Sequence, residues 1–332
     1  MAHFVFDKQV MLDQYDKVLS TCDIVSYSSK TNPYLTPMLQ KQGSWVSVHF
    51  PTELRHCTQL DKVWYFAQAW NSELIKDLIE KNVTHFVIDN TVDADTLLQY
   101  LEKNKVDVSV LLRAKIKERS VKTERYYVFG MHPKLVVEYT EKFRAHGKVG
   151  VHIHRKTQNM SDWNLQFYLE NTFSPEFVQS LDYLNIGGGL PSEYANTNVK
   201  VIQSIITKLQ TFHAYCKEHN ITLVCEPGRF IAAPSMKLVT NIIGVHDNTV
   251  VVDASVYNSN MDAIVVPVKL KVEGEGEGDP YVIKGCTPCS MDLFRYKVYL
   301  QHARVGGTIT FLNAGAYNFS TDFCDLPTLP IQ

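Results

Sequence analysis

No apolar run in this 332-residue chain approaches the roughly 20 residues needed to cross a bilayer. The opening MAHFVFDKQV also lacks the charged and apolar regions of a signal peptide. Charge of one sign is missing too. The 33 Lys and Arg against 35 Asp and Glu give a formal net charge of −2, without the basic excess that nucleic acid or an anionic membrane would require. These absences exclude a nucleic-acid or membrane partner as the expectation and make the cytoplasm the expected compartment. Cysteine is sparse: seven residues, an odd number scattered over the chain, which argues against a secreted disulfide framework. Only Cys286-Thr287-Pro288-Cys289 has a C-x-x-C spacing. A zinc site would need a second ligand pair, and His302 has no companion, so no metal is expected. Disorder is excluded by an ordinary balance of 45% apolar and 20% charged residues.

What is there is a rhythm. Short β-branched and aromatic runs predict strands at 24–28, 46–50, 63–67, 85–89, 108–113, 149–154, 183–187 and 222–226. Between them fall helical patterns at 72–80, 94–103, 133–146 and 199–218, the last with Val201, Ile202, Ile205, Ile206, Leu209 and Phe212 at helical spacing. Eight strand–helix repeats are the count of a (β/α)8 TIM-like barrel, whose active site lies at the strands' C-terminal ends. A doubly wound sheet is the alternative. After Pro227 the pattern turns to strands at 240–245, 249–254, 264–272, 281–285 and 307–312, with Glu273–Pro280 reading as an exposed acidic hairpin turn. The expected organisation is therefore a barrel over residues 1–232 and a small all-β domain over 233–332.

Candidate chemistry gathers at strand ends. Ser26-Tyr27-Ser28-Ser29-Lys30-Thr31-Asn32-Pro33 puts a lysine where a strand meets a Pro-broken turn, a place for a desolvated, imine-forming amine. Ile186 runs into Gly187-Gly188-Gly189, which lets backbone N–H groups approach a phosphate or simply makes a tight turn. Glu226-Pro227-Gly228-Arg229 offers a carboxylate for a protonated ring nitrogen and an arginine for a phosphate, or else a structural Glu–Arg pair. Lys30, Gly187–Gly189 and Glu226–Arg229 are expected on one barrel rim. His152 and His154 share a strand face, His154 nearer the rim, with the Thr157 hydroxyl just beyond.

Together these residues resemble the fold-type III pyridoxal-phosphate decarboxylases, the group that includes ornithine, diaminopimelate and carboxynorspermidine decarboxylases. Tyr27-Ser28-Ser29-Lys30-Thr31-Asn32 is similar to the family's Tyr-Ala-Val-Lys-x-Asn, which implies Lys30 as the residue that attaches pyridoxal 5′-phosphate. Gly187–Gly189 is similar to the phosphate-binding glycine triplet, and Glu226–Arg229 to the Glu-Pro-Gly-Arg whose carboxylate meets the pyridine nitrogen. Gly315-Ala316-Tyr317 resembles the Gly-Ala-Tyr whose tyrosine reaches the phosphate. His154 fits the histidine that stacks on the cofactor, and Arg113 an arginine near it, followed by Phe129-Gly130 for the Lys-Phe-Gly motif. The resemblance runs over essentially the whole chain. It implies an alanine racemase/ornithine decarboxylase-like fold and a homodimer with shared active sites.

The departures from the family pattern concern the substrate half. Gly285-Cys286-Thr287-Pro288-Cys289-Ser290-Met291-Asp292 aligns with Gly-Pro-x-Cys-(Asp/Glu)-x-x-Asp at Gly285 and Asp292, with the cysteine displaced by one and the following acid missing. Cys289 is the implied proton donor, contributed across the dimer. In 259–268 the residues that hold a distal amine or carboxylate are replaced by Val265 and Val266, and Asp262 with Pro267 is most similar to the carboxynorspermidine branch. The expected substrate contacts are Asp262, Val265, Val266 and Asp292. Phe4-Val5-Phe6-Asp7 resembles the family's opening into the barrel, so its N-terminal β segment is expected to be absent. A bifunctional maturation enzyme of microcin C-type antibiotics begins with a domain of this class, acting on an aminocarboxypropyl group of a peptide-nucleotide, and a less charged loop suits so bulky a substrate. The alternatives are a polyamine-pathway decarboxylase, a racemase or small cofactor-handling protein, and a catalytically silent homologue.

Overall fold

A computed structural model describes residues 1–116, 129–154 and 156–332. The chain divides into two compact units. One comprises 15–190 with 201–227, the other 1–14 with 191–200 and 228–332. Residues 1–14, 191–200 and 228–232, which a boundary at 232 assigns to the barrel, thus group with the β unit. Strand pairing explains the first of these: β1 (His3–Phe6) runs antiparallel to Met236–Val239. Phe4–Phe6 is therefore a strand of the β sheet, which corrects its reading as an opening into the barrel.

The first unit is a closed barrel of eight parallel strands, β2 (Ile24–Ser28), β3 (Trp45–Val48), β4 (Val63–Phe66), β5 (His85–Ile88), β6 (Ser109–Arg113), β7 (Val149–His152), β8 (Tyr183–Asn185) and β9 (Thr222–Cys225), shut by the pairing of β2 with β9. All eight fall where the sequence predicts them. Helices follow most strands, and their starts obey capping chemistry. Asn71 accepts from the Leu74 N–H ahead of helix Ser72–Glu80, and Asn90 from the Asp93 N–H ahead of Thr91–Asn104. Between β3 and β4 the chain makes two 3₁₀ turns, Pro51–His56 and Leu60–Lys62, in place of the helix that a strict strand–helix repeat would put there.

Trp64, Val87, Leu111, Tyr183 and Val224, from five different strands, form a core cluster, with the Trp64 and Tyr183 rings edge to face at 5.5 Å. Side chains alternate along a strand, so positions two residues on share a face. Val224 leads in this way to Glu226, Tyr183 to Asn185, and Trp45 to Ser47 and His49. The apolar layer thereby sets the height and direction of the polar layer above it.

The second unit is a seven-stranded sheet of β10 (Met236–His246), β11 (Thr249–Val252), β12 (Lys271–Val272), β13 (Asp279–Lys284), β14 (Leu293–Leu300) and β15 (Thr308–Leu312) in the order β12-β15-β10-β11-β13-β14, with β1 added alongside β10. The strand expected over 264–272 shrinks to β12, because Asp262–Val265 is a helical turn and Pro267 has no N–H for a ladder. β14 escaped the sequence pattern, since register shifts against β13 disturb its alternation. Glu273–Pro280 is not a hairpin turn: it joins β12, which pairs with β15, to β13, which pairs with β11 and β14. Its Glu275 carboxylate accepts from the Arg295 guanidinium at 2.8 Å.

Replacing Trp64 tests the core layer. Trp64→Ala, at a side chain with no exposed surface, is expected to cost about 3–5 kcal/mol, read as a lowered urea midpoint.

Candidate active site

At the C-terminal end of the barrel the buried Glu226 carboxylate is the centre of a hydrogen-bond network. Its Oε1 accepts from Ser47 Oγ at 2.9 Å and Asn185 Nδ2 at 3.0 Å, and its Oε2 lies 3.2 Å from His152 Nε2. Ser26 Oγ supports Ser47 Oγ at 2.9 Å. Burial alone would push the Glu226 carboxyl up, but His152, Asn185 and His49 outweigh it and hold it well below the usual carboxylate range. Burial also keeps His152 below its ordinary value. What His152 gives Glu226 is accordingly the Nε2–H of a neutral ring, a tautomer assigned from its carboxylate partner.

Lys30 sits in the 3₁₀ turn Ser29–Thr31 directly after β2. Its side chain keeps open surface, yet the surrounding protein desolvates the amine and lowers its pKa, against the opposing pull of Glu226 and Glu53. His49 stacks on Phe66 at 4.6 Å, and desolvation together with Lys30 takes its pKa to about 3. Glu53 Oε1 accepts from the His49 N–H at 2.9 Å, while desolvation raises the Glu53 carboxyl. His154 lies parallel to His152 at 6.4 Å; its ring keeps open surface, yet the surrounding protein desolvates it and, with Arg113 nearby, lowers its pKa. The Arg113 guanidinium lies 4.9 Å from the centre of the Phe129 ring.

The glycine turn is shaped by space. A Cβ on Gly187, whose φ is +65°, would meet His154 Nδ1 at 2.6 Å, and one on Gly188 would meet the Glu226 carbonyl at 2.6 Å. The Gly187 N–H donates to Asn185 Oδ1 at 2.8 Å and the Gly188 N–H to His154 Nδ1 at 3.4 Å. Two of the three N–H groups expected to face a phosphate therefore have internal acceptors. Thr157 lies on an exposed turn.

The barrel unit thus holds Lys30, Arg113, His154, Thr157, Gly187, Gly188, Gly189 and Glu226. Gly228, Arg229, Asp262, Val265, Val266, Cys289, Asp292 and Tyr317 belong to the β unit. There Arg229 is buried and binds both oxygens of Asp262, with Nη2 to Oδ1 at 3.0 Å, and donates to Tyr194 Oη at 2.9 Å. Its guanidinium lies 5.1 Å from the centre of the Tyr317 ring. Glu226 and Arg229 thus each have their own partners. Asp262, expected to meet substrate, spends its carboxylate on Arg229. Asp292 is a clear correction: it has no exposed surface, and its oxygens accept from Val256 N, Thr287 N and Thr287 Oγ1. It organises the loop and has no open face for a substrate. Val265 is 70% exposed, and Cys289 is half-buried beside Tyr257.

Ser47, His49, Glu53 and Asn185 are the barrel residues that motif reading missed. For Ser47 and Asn185 the signal is a polar side chain at an inward strand position of an otherwise apolar run, whereas His49 and Glu53, beyond the end of β3, carry no such mark. Among the described residues, no group of three or more His, Cys, Asp or Glu side chains could hold a metal ion, and no helix is long and apolar enough to cross a membrane.

This is the arrangement of a barrel enzyme with one attachable amine and one ionised carboxylate. The model of the pyridoxal-binding domain of pyridoxal-dependent decarboxylases matches residues 13–233, and the chain belongs to that family. A probable chloroplastic diaminopimelate decarboxylase of Oryza sativa subsp. japonica is 35% identical over 79 residues, 23% of this chain. That match spans only 16% of the relative's length. The structure of a lysine/ornithine decarboxylase complexed with putrescine from Vibrio vulnificus has a TM-score of 0.84 at 20% identity, over 100% of this chain and 94% of that one. Diaminopimelate decarboxylase from Helicobacter pylori, complexed with L-lysine, has a TM-score of 0.80 at 18% identity, over 100% and 91% of the two chains. At such identities the likeness speaks for the fold.

The family's cofactor is pyridoxal 5′-phosphate, and the barrel residues fit it. Three of the four lone-pair positions of Glu226 are taken, leaving one for a ring N–H. Among the described residues, the buried atoms His49 Nδ1, Glu53 Oε2 and His152 Nδ1 have no hydrogen-bond partner.

The desolvated His49 sets an acid limit. Its folded pKa near 3 lies below the unfolded value of about 6.5, so keeping its ring neutral contributes stability present above pH ~6.5 and lost progressively as pH falls toward 3. Urea midpoints should therefore drop between pH 7 and pH 4.5, and His49→Gln should flatten that slope. Equal slopes for the two proteins would contradict it.

Proposed function

We propose that the chain removes the α-carboxylate of an amino-acid-type substrate with pyridoxal phosphate held on Lys30. The observation that carries this reading is Glu226 at the end of β9, held ionised by three donors and near enough to the desolvated Lys30 amine to act on its charge. Lys30 would hold the cofactor covalently, its lowered pKa supplying the neutral amine that attachment needs. Glu226 would keep a proton on the ring nitrogen, and the neutral ring of His154 would pack on the cofactor. Gly189, Thr157, Gly228, Arg229 and Tyr317 are the proposed surroundings of the phosphate, with Arg113 beside the ring. The bound group supplies the electron sink for the pair left when CO2 departs. Cys289 is the proposed donor of the proton that replaces CO2, contributed by a second copy of the chain in a homodimer.

For the substrate, we favour one whose distal part carries no compact charge, such as an aminocarboxypropyl group on a bulky peptide-nucleotide. Val265 and Val266 present no charge, and the one acid of that segment, Asp262, is occupied by Arg229. That commitment weakens the polyamine alternative, in which an acid must meet a distal amine.

The test is CO2 release by holoprotein from a panel with distal amines, distal carboxylates and aminocarboxypropyl compounds. Release from the last group is expected, and Lys30→Ala should lower it by about four orders of magnitude or more, as loss of a covalent catalytic group does. Release confined to distal amines would point to the polyamine reading, and no release from any member would contradict decarboxylation.

A further inference from the structure

Outside the barrel, the loop after β13 holds a built thiol environment. Cys289 Sγ lies 3.3 Å from the hydroxyl of Tyr257. The tyrosine ring is fixed from the other side, stacked on Phe323 with centroids 3.8 Å apart and planes 19° from parallel. Its own backbone carbonyl accepts from Thr321 N at 3.0 Å and Thr321 Oγ1 at 2.9 Å, which ties the Phe323 segment to it.

The cysteine's loop is equally fixed. The buried Asp292 carboxylate grips Thr287 through N and Oγ1, and the Asp292 N–H returns to the Cys289 carbonyl at 3.1 Å. Gly285 is required beneath it, since a Cβ there would fall on the Asp292 carboxylate. Two side chains anchored independently thus meet at one contact between a hydroxyl and a thiol, in which either could donate.

We propose that Tyr257 is the positioning residue of Cys289: its hydroxyl donates to the sulfur, favours the thiolate, and holds it in one rotamer as an acid–base and nucleophilic group. A phenol bonded to a thiolate loses acidity as the thiol gains it. The two groups move in those opposite directions, Cys289 down through the Tyr257 hydrogen bond first and the Met291 N–H second, and Tyr257 up to about 12. Among the described residues no hydroxyl donates to Cys286, three residues away and exposed, and partial desolvation pushes its thiol up. The spacing C-x-x-C therefore joins one tuned thiol to one untuned one. As a contribution to catalysis the proposal rests on the reading of Cys289 as proton donor; as a statement about the thiol it does not.

The experiment is alkylation of the full chain by iodoacetamide across pH 5–10, with peptide mapping to follow each cysteine separately. In this reaction the thiolate displaces iodide and forms one S–C bond. The midpoint for Cys289 is expected below that of Cys286. Tyr257→Phe, which keeps the stack on Phe323, should raise it by about one pH unit, the effect of losing one hydrogen bond to a charged acceptor, while Cys286 does not move. An unchanged Cys289 midpoint in a folded Tyr257→Phe protein overturns the proposal, as does a wild-type Cys289 midpoint at or above that of Cys286. The CO2 assay then reads the catalytic half separately: a shifted thiol with unaltered turnover and pH profile would leave the tuning intact and remove Cys289 from the reaction.

Discussion

One buried negative charge governs the barrel. Enclosing an ionised carboxylate is expensive unless every side of it meets a donor. Ser47, Asn185 and His152 come from three separate strands, β3, β8 and β7, and converge on Glu226 only if the barrel closes in the observed register. The apolar cluster below supplies that register. Trp45, Tyr183 and Val224 lie two residues before Ser47, Asn185 and Glu226, so packing the lower layer aims the upper one. Removing a donor would strand a charge, which makes this polar layer as demanding of the fold as the core.

The same desolvation explains the neighbouring groups. It keeps His49, His152 and His154 neutral and makes the Lys30 amine easier to deprotonate, while Glu226, furnished with three donors, stays charged. A layer of neutral imidazoles around one carboxylate and one amine suits a planar cofactor with a basic ring nitrogen and an aldehyde, as membership of the pyridoxal-dependent decarboxylases requires.

Much of this was legible in the sequence. The barrel strands announced themselves because each is a short apolar run ended by a polar residue or glycine, and Lys30, Gly187–Gly189 and Glu226 lie at such ends. His49 and Glu53 were not legible: His49 follows the end of β3 and Glu53 sits in the Pro-started 3₁₀ turn Pro51–His56, where a strict strand–helix repeat would put a helix, and nothing local marks them. The fate of Arg229 was hidden for another reason. Its partner Asp262 is 33 residues away, and spacing along a chain does not reveal a long-range ion pair. Asp292 matched a motif yet turned inward, because Gly285 and Thr287 give its carboxylate a closed niche.

The central claim is that Lys30 and Glu226 form the two poles of the cofactor site. Its most direct measurement is borohydride reduction of protein reconstituted with pyridoxal phosphate, followed by peptide mass mapping of the wild type and Glu226→Gln. The account predicts a single phosphopyridoxyl adduct on Lys30, and weaker cofactor retention after dialysis in Glu226→Gln. An adduct scattered over surface lysines, or equal retention in the two proteins, would contradict it.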